Sequence, residues 1–242
     1  MSKVTSQGRA QNERNSAEGG LAAHELLRSC VALDPDFAPG WAELARSEQF
    51  AYFLGIEGDE SLERGFEHIR RALELDPDHP EAHLTLGLLH LMRGDARTAA
   101  ECSRRGLELA PGRADLRLWF ATFLVHIIET DEAITILKGL TRLDPALRYM
   151  HLFQLALCYR RLGRIDEAIA KHRECLEANP NFFGAYMQLA SIHAELDLMN
   201  QAHAELAQTL RLWPEFCVAR IPRVPNGREI LVANLRKAGL RE

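Results

Sequence analysis

The 242-residue chain is 47% apolar and 26% charged, which is ordinary globular composition with enough length for one large domain. Its formal charge of −5 and pI near 6.1 leave no basic excess for a phosphate backbone, so nucleic acid is not an expected partner. No apolar run reaches the roughly 18 residues of a membrane span, and the polar first 20 residues lack the apolar middle of a secretory signal, so the reading is cytoplasmic with no membrane partner.

In chain order, a short tag closes one segment after another: Leu33-Asp34-Pro35, Leu75-Asp76-Pro77, Leu109-Ala110-Pro111, Leu143-Asp144-Pro145, Ala178-Asn179-Pro180 and Leu212-Trp213-Pro214. Successive prolines lie 42, 34, 34, 35 and 34 residues apart. Proline turns its predecessor away from helical dihedrals and donates no backbone hydrogen bond, so each tag predicts a helix stop and a turn. A fixed period of this length is the mark of a solenoid, and twelve helices in six pairs follow.

The first unit is regular only in its second half (Ala23, Leu27, Cys30, Pro35); its first helix would have to come from the polar stretch Lys3 to Asn15. The second carries Trp41, Leu44, Ala45, Ile69, Ala72 and Pro77, with eight extra residues predicted to lengthen the first helix and form a turn around Gly55-Ile56-Glu57-Gly58-Asp59. This insertion reads as a tolerated surface loop ahead of a functional lid. The third supplies Leu86-Gly87, Ala99 and Pro111, and the fourth Phe120-Ala121, Ala133, Leu137 and Pro145. The fifth has Leu155-Ala156, Tyr159, Gly163, Ala168, Cys175 and Pro180, and the sixth Tyr186, Leu189-Ala190, Ala202 and Pro214. Small residues at the helix crossings let two backbones approach while large ones fill the flanks. Beyond Arg220 the period stops: Pro222 and Pro225 interrupt the chain. Asn226 three residues before Glu229 then predicts a capping box. Ile230, Leu231, Ala233, Asn234, Leu235 and Ala238 form an apolar stripe ended by Gly239. The division is residues 1–20 as a polar segment, 21–217 as the solenoid, and 218–242 as linker and capping helix.

These residues resemble the tetratricopeptide-repeat family, which implies an all-α fold, a right-handed superhelix of about six helix pairs closed by a C-terminal capping helix. The long second unit, the run Leu118-Trp119-Phe120-Ala121-Thr122-Phe123-Leu124 and the ending Leu235-Arg236-Lys237-Ala238-Gly239-Leu240 are similar, more narrowly, to the C-terminal repeat region of bacterial class III adenylate and guanylate cyclases and related winged-helix regulators. The catalytic part of those cyclases has no counterpart in the chain, so only architecture and a signalling context carry over.

No phosphate-cradling glycine motif occurs. His79 and His83 are four residues apart, but without a cysteine or carboxylate pair beside them they read as surface histidines, and His83 and His90 as wall residues. The five cysteines are scattered singly and suggest neither disulfides nor zinc; Cys30 and Cys175 occupy the small slot before the proline, where a buried thiol is a poor nucleophile. The pairs Arg70-Arg71, Arg104-Arg105 and Arg160-Arg161 read as solvated faces. No catalysis, cofactor or metal is therefore expected.

In this family the first helices line a concave face, and the resemblance assigns to it Phe50; Leu84, Leu88, Leu91 and Met92; Leu118, Thr122, Val125 and His126; Phe153, Leu157 and Arg160; and Met187. Leu84 and Thr85 in the third unit and Trp119 in the fourth do not match relatives that clamp a carboxylate. An apolar groove of this kind predicts a non-catalytic scaffold that takes a peptide or helix of a protein partner. Packing of the same leucines against one another, and a homodimerising regulatory module, are the alternatives.

Overall fold

The computed structural model describes residues 17–126, 130–140, 147–223 and 227–242. Among these residues twelve α-helices follow one another: α1 Ala17–Leu33, α2 Ala38–Phe53, α3 Asp59–Leu75, α4 Pro80–Met92, α5 Ala96–Leu109, α6 Ala114–His126, α7 Thr130–Leu140, α8 Arg148–Arg161, α9 Ile165–Ala178, α10 Phe183–Glu195, α11 Met199–Leu212 and α12 Arg228–Lys237. A 3₁₀ turn spans Val218–Arg220, and no strand occurs among the described residues. The chain forms two compact units, Met1–Leu116 with Pro222–Pro225, and Arg117–Ile221 with Asn226–Glu242. In the first, α2 packs on α3 and α4 on α5; in the second, α8 packs on α9 and α10 on α11. The predicted helix over Lys3 to Asn15 lies outside the described residues.

The Asp-Pro and Asn-Pro tags at Pro35, Pro77 and Pro180 close in the same way. The N–H groups of Asp34, Asp76 and Asn179 donate to the carbonyls of Cys30, Ala72 and Cys175, and their own carbonyls then accept from Phe37, His79 and Phe182. Their side-chain oxygens accept from the N–H just past the proline, at 3.3 Å (Asp36), 3.3 Å (Asp78) and 3.1 Å (Asn181). This is the Asx turn, for which Asp and Asn have the right reach. The next helix locks onto the turn through a ring N–H: Trp41 Nε1 donates to the Pro35 carbonyl at 2.9 Å, and His83 Nε2 lies 2.8 Å from that of Pro77. Arg71 and Arg105 of the second helices reach back to Asp36 and Asp78 at 3.0 and 2.8 Å. Such exposed pairs contribute roughly 0.2–1 kcal/mol each, so they set register more than stability.

The turns within the second, third, fifth and sixth pairs use a left-handed residue, Gly55 standing at φ 62° in the second. Gly94 and Gly163 stand at φ 88° and 72°, and the following N–H groups of Asp95 and Arg164 return to His90 and Tyr159. In the sixth unit Asp197 occupies this position at φ 59°, and its carboxylate receives Lys237 of α12.

Close approach at small residues decides the core. Ala45, Ala72, Ala82 and Ala99 are fully buried in the first unit, and Ala156, Ala168, Ala190 and Ala202 in the second. The tightest crossing is α4 on α5. A Cβ on Gly87 would lie 2.2 Å from Ser103 Oγ and 2.9 Å from the Ala99 carbonyl.

The terminal helix α12 seats on α10 through Leu231, Val232, Leu235 and Ala238. It differs from the predicted stripe, because Ile230 is 58% exposed and Ala233 is also exposed. The buried face follows the first two turns at Leu231 and Val232 instead. Gly227, at φ 106°, precedes the helix and Gly239, at φ 91°, ends it; Asn226 of the predicted capping box lies outside the described residues.

Gly87→Ala is expected to destabilise the fold by about 1–3 kcal/mol, the usual cost of overpacking. Urea unfolding checks this, and adding Ser103→Ala should recover only part of the loss, because the Ala99 carbonyl stays in place.

Candidate peptide-binding surface

The residues assigned to the concave face divide by depth. Leu84, Leu91, Leu118, Val125 and Met187 are at most 4% exposed and cannot line an open groove. The expectation is corrected at these five positions. Leu84 shows the cause: its Cγ would lie 2.9 Å from a Cβ built on Gly106, so the glycine opens a slot in α5 that the leucine fills. Packing of α2 on α4 and of α12 on α10 similarly consumes the flanks of the first helices. Thr122 and His126 lie outside the described side chains.

Six assigned residues are half-buried. In the first unit Phe50 stacks on Phe53 with ring centroids 6.4 Å apart, and Met92 leans on the cluster of Ala42, Phe66 and Leu89, with Leu88 one turn before it on α4. In the second unit Phe153 lies edge-on to Phe182 at 5.0 Å and beside His172 at 5.5 Å, with Leu157 one turn further along α8.

Arg160 is engaged already. Its guanidinium donates to Gln188 Oε1, Ser191 Oγ and Glu195 Oε2 at 2.8, 2.9 and 2.8 Å, tying α8 to α10. Arg161 donates to the Val125 carbonyl. The pair therefore does not form a solvated face, because both side chains answer acceptors on neighbouring first helices. Asn234 of α12 adds a bond to Ser191 Oγ at 3.2 Å.

The histidine expectation also changes. His79 is buried, with Nδ1 3.3 Å from Glu81. The nearby His79 ring, together with Arg113 at 2.8 Å, pulls the Glu81 carboxyl down to about 2. His90 packs edge-on to Phe66 at 5.1 Å. These imidazoles serve as packing groups and turn donors, and among the described residues no three His, Cys, Asp or Glu side chains gather as a metal site. Burial pushes the thiols of Cys158 and Cys175 up to about 12, away from nucleophilic use.

One network had no place in the sequence reading. Glu48, 1% exposed, sits in the slot where the fifth unit has Tyr159. Arg64 grips it with two bonds of 2.9 and 2.8 Å and also pairs with Glu57, while Ser61 Oγ donates to the Glu48 carboxylate at 3.0 Å. Burial of such a charge is tolerated only when it is paired and hydrogen-bonded. The signal was a carboxylate in an aromatic slot.

Two stretches, residues 68–101 and 152–182, match the family description Tetratricopeptide repeat. With the paired helices, they make the fold a tetratricopeptide-repeat solenoid. The transcriptional regulator HilA of Salmonella typhimurium is 24% identical over 227 residues, covering 88% of this chain and 41% of that protein; the chain thus spans about two-fifths of that relative's length. A human IFIT1 dimer solved with m7Gppp-AAAA superposes with a TM-score of 0.71 at 18% identity, over 86% of this chain and 49% of that one. A tetratricopeptide repeat protein from Parabacteroides merdae gives 0.67 at 16% identity, over 98% and 83%. At these identities the two structures share the fold alone. Among the described residues no helix is long and apolar enough to cross a membrane.

His172 is fully buried in a large-residue slot and neither ring nitrogen has a hydrogen-bond partner among the described residues. Burial, reinforced by Arg160, pushes its pKa down to about 3. A histidine held neutral in the fold charges more readily when unfolded, so its contribution is intact above the unfolded value of about 6.5 and is lost as pH falls below it. Between pH 7 and 5 the loss is expected to reach about 2 kcal/mol. Urea melts at the two pH values measure it, and His172→Leu should flatten the dependence.

Proposed function

We propose that the protein is a non-catalytic scaffold that takes a peptide or helix of a protein partner on the first helices of its repeats. The observation that carries this reading is the set of half-buried apolar side chains left on those helices after packing: Phe50, Leu88 and Met92 in the first unit, Phe153 and Leu157 in the second. Apolar side chains held on a rigid helical face suit an amphipathic or extended partner, and methionine adapts to its shape. The net charge of −5 favours a protein over a nucleic acid in this role.

The setting we propose is bacterial, cytoplasmic signalling or gene regulation. The likeness to a transcriptional regulator over 88% of the chain favours it. A second reading, motivated by the ending Leu235-Arg236-Lys237-Ala238-Gly239-Leu240, is a regulatory or dimerising module of the kind found beside cyclase catalytic domains. Sedimentation at micromolar concentration separates the two readings, since a strict monomer argues against the dimerising one.

A peptide selected from a display library against the full chain is the direct test. Leu88→Asp and Leu157→Asp, both at half-buried positions, are expected to weaken its binding at least tenfold while circular dichroism and Tm stay near wild type. Unchanged affinity in both variants would remove these helices from the binding surface.

A further inference from the structure

The insertion in the second unit builds a helix end that receives an arginine. It lengthens α2 to 16 residues, against 13 or 14 in α4, α6, α8 and α10, and the added turn carries Tyr52 and Phe53. The last carbonyls of a helix have no donor within it. At this end Leu54 N–H serves Phe50, Gly55 serves Tyr52, and Ile56 and Glu57 both serve Ala51, so the Phe53 carbonyl is left over. It accepts the backbone N–H of Arg223 at 2.7 Å. The Arg223 guanidinium carbon lies 4.5 Å from the centre of the Tyr52 ring. Pro222 and Arg223 belong to the first unit although they come late in the chain, and Pro222 is buried.

Three independent preferences converge on one ligand. The carbonyl end of a helix carries partial negative charge and favours a cation. A tyrosine face attracts a guanidinium, which stacks where an ammonium does not. A single free carbonyl takes an N–H from a segment outside any helix, and Pro222 holds Ile221 before it extended at φ −64°, ψ 129°. We propose that the lengthened end of α2 is a recognition site for an arginine in an extended, proline-flanked segment of a partner protein, and that Arg223 fills this site in cis until such a segment displaces it. The chain's own Pro222-Arg223 is the occupant from which the ligand chemistry is read. The site uses neither Leu88 nor Leu157, so it stands or falls separately from the scaffold surface above.

The probe is a fluorescent peptide with the sequence of residues 219–226, measured by anisotropy against the full chain. Arg223→Ala protein is expected to bind it at least tenfold tighter than wild type, because the resident arginine no longer competes. Adding Tyr52→Leu should cancel the gain, and replacing the peptide's second arginine by alanine should abolish binding. Equal affinity for wild type and Arg223→Ala, or indifference to Tyr52, overturns the proposal. A second measurement covers misfolding of the Arg223 variant: trypsin cleavage after Arg223 should be several-fold faster in Tyr52→Leu than in wild type. An unchanged rate overturns the proposal as well, as does a wild-type dimer that dissociates on Arg223→Ala, which would make the arginine an intermolecular tie.

Discussion

Everything in this fold depends on how a helix is stopped at a proline tag and the next one started after four intervening residues. Proline alone stops a helix but does not aim its successor. The Asp or Asn before it accepts from the N–H beyond it, and the Trp41 or His83 ring then returns to the proline carbonyl, so both sides of the turn are tied to one backbone point. Neighbouring helices consequently meet at fixed places, and only there do small residues become compulsory. Gly87 and Ala99 are small because α4 and α5, joined through the turn at Gly94, meet at those positions. Length between prolines, rather than helix propensity, therefore carries the architecture.

Because that constraint is local in sequence, it was legible from sequence. The tags at Pro35, Pro77 and Pro180 predict turns that the backbone makes, and Gly163 stands where a left-handed residue is needed. Depth was not legible. Repeat position tells which side of a helix a residue occupies, but Leu84 and Leu88, one turn apart on the same side, differ because Gly106 on another helix admits only the first. Long polar side chains posed the same difficulty. Arg160 follows from sequence as a residue of the concave face, whereas its three acceptors on α10 are set by how far the guanidinium reaches to the next pair. Ile230 likewise lies next to the buried stripe of α12 but outside its contact with α10.

Several slots that favour aromatic or large aliphatic groups hold polar ones here: Glu48, His90, Ser103, His172 and His193. Each is accommodated differently. Glu48 is matched by a full set of donors, so its charge survives burial. His172 stays neutral between apolar neighbours and packs as a ring. Ser103 lets α5 approach Gly87 more closely than a leucine could. Polar content in these slots costs stability relative to apolar filling. It also makes the pairs chemically unlike one another, which limits the register slips to which identical repeats are prone.

The cations follow a pattern that the period does not predict. Among the described residues three first helices have a carbonyl in their last turn that accepts from a basic residue remote in sequence: Phe53 in α2 from the Arg223 backbone, Val125 in α6 from the Arg161 guanidinium, and Ala194 in α10 from the Lys237 ammonium at 2.7 Å. A helix end with unpaired carbonyls and partial negative charge is a natural acceptor for such groups. For α6 and α10 the donor is part of regular packing, from the next first helix and from the terminal helix. For α2 it comes from an extended segment, and only because the insertion adds a turn bearing Tyr52. The same physical device thus serves cohesion at two helix ends and, at the third, presents chemistry that can be read by a ligand.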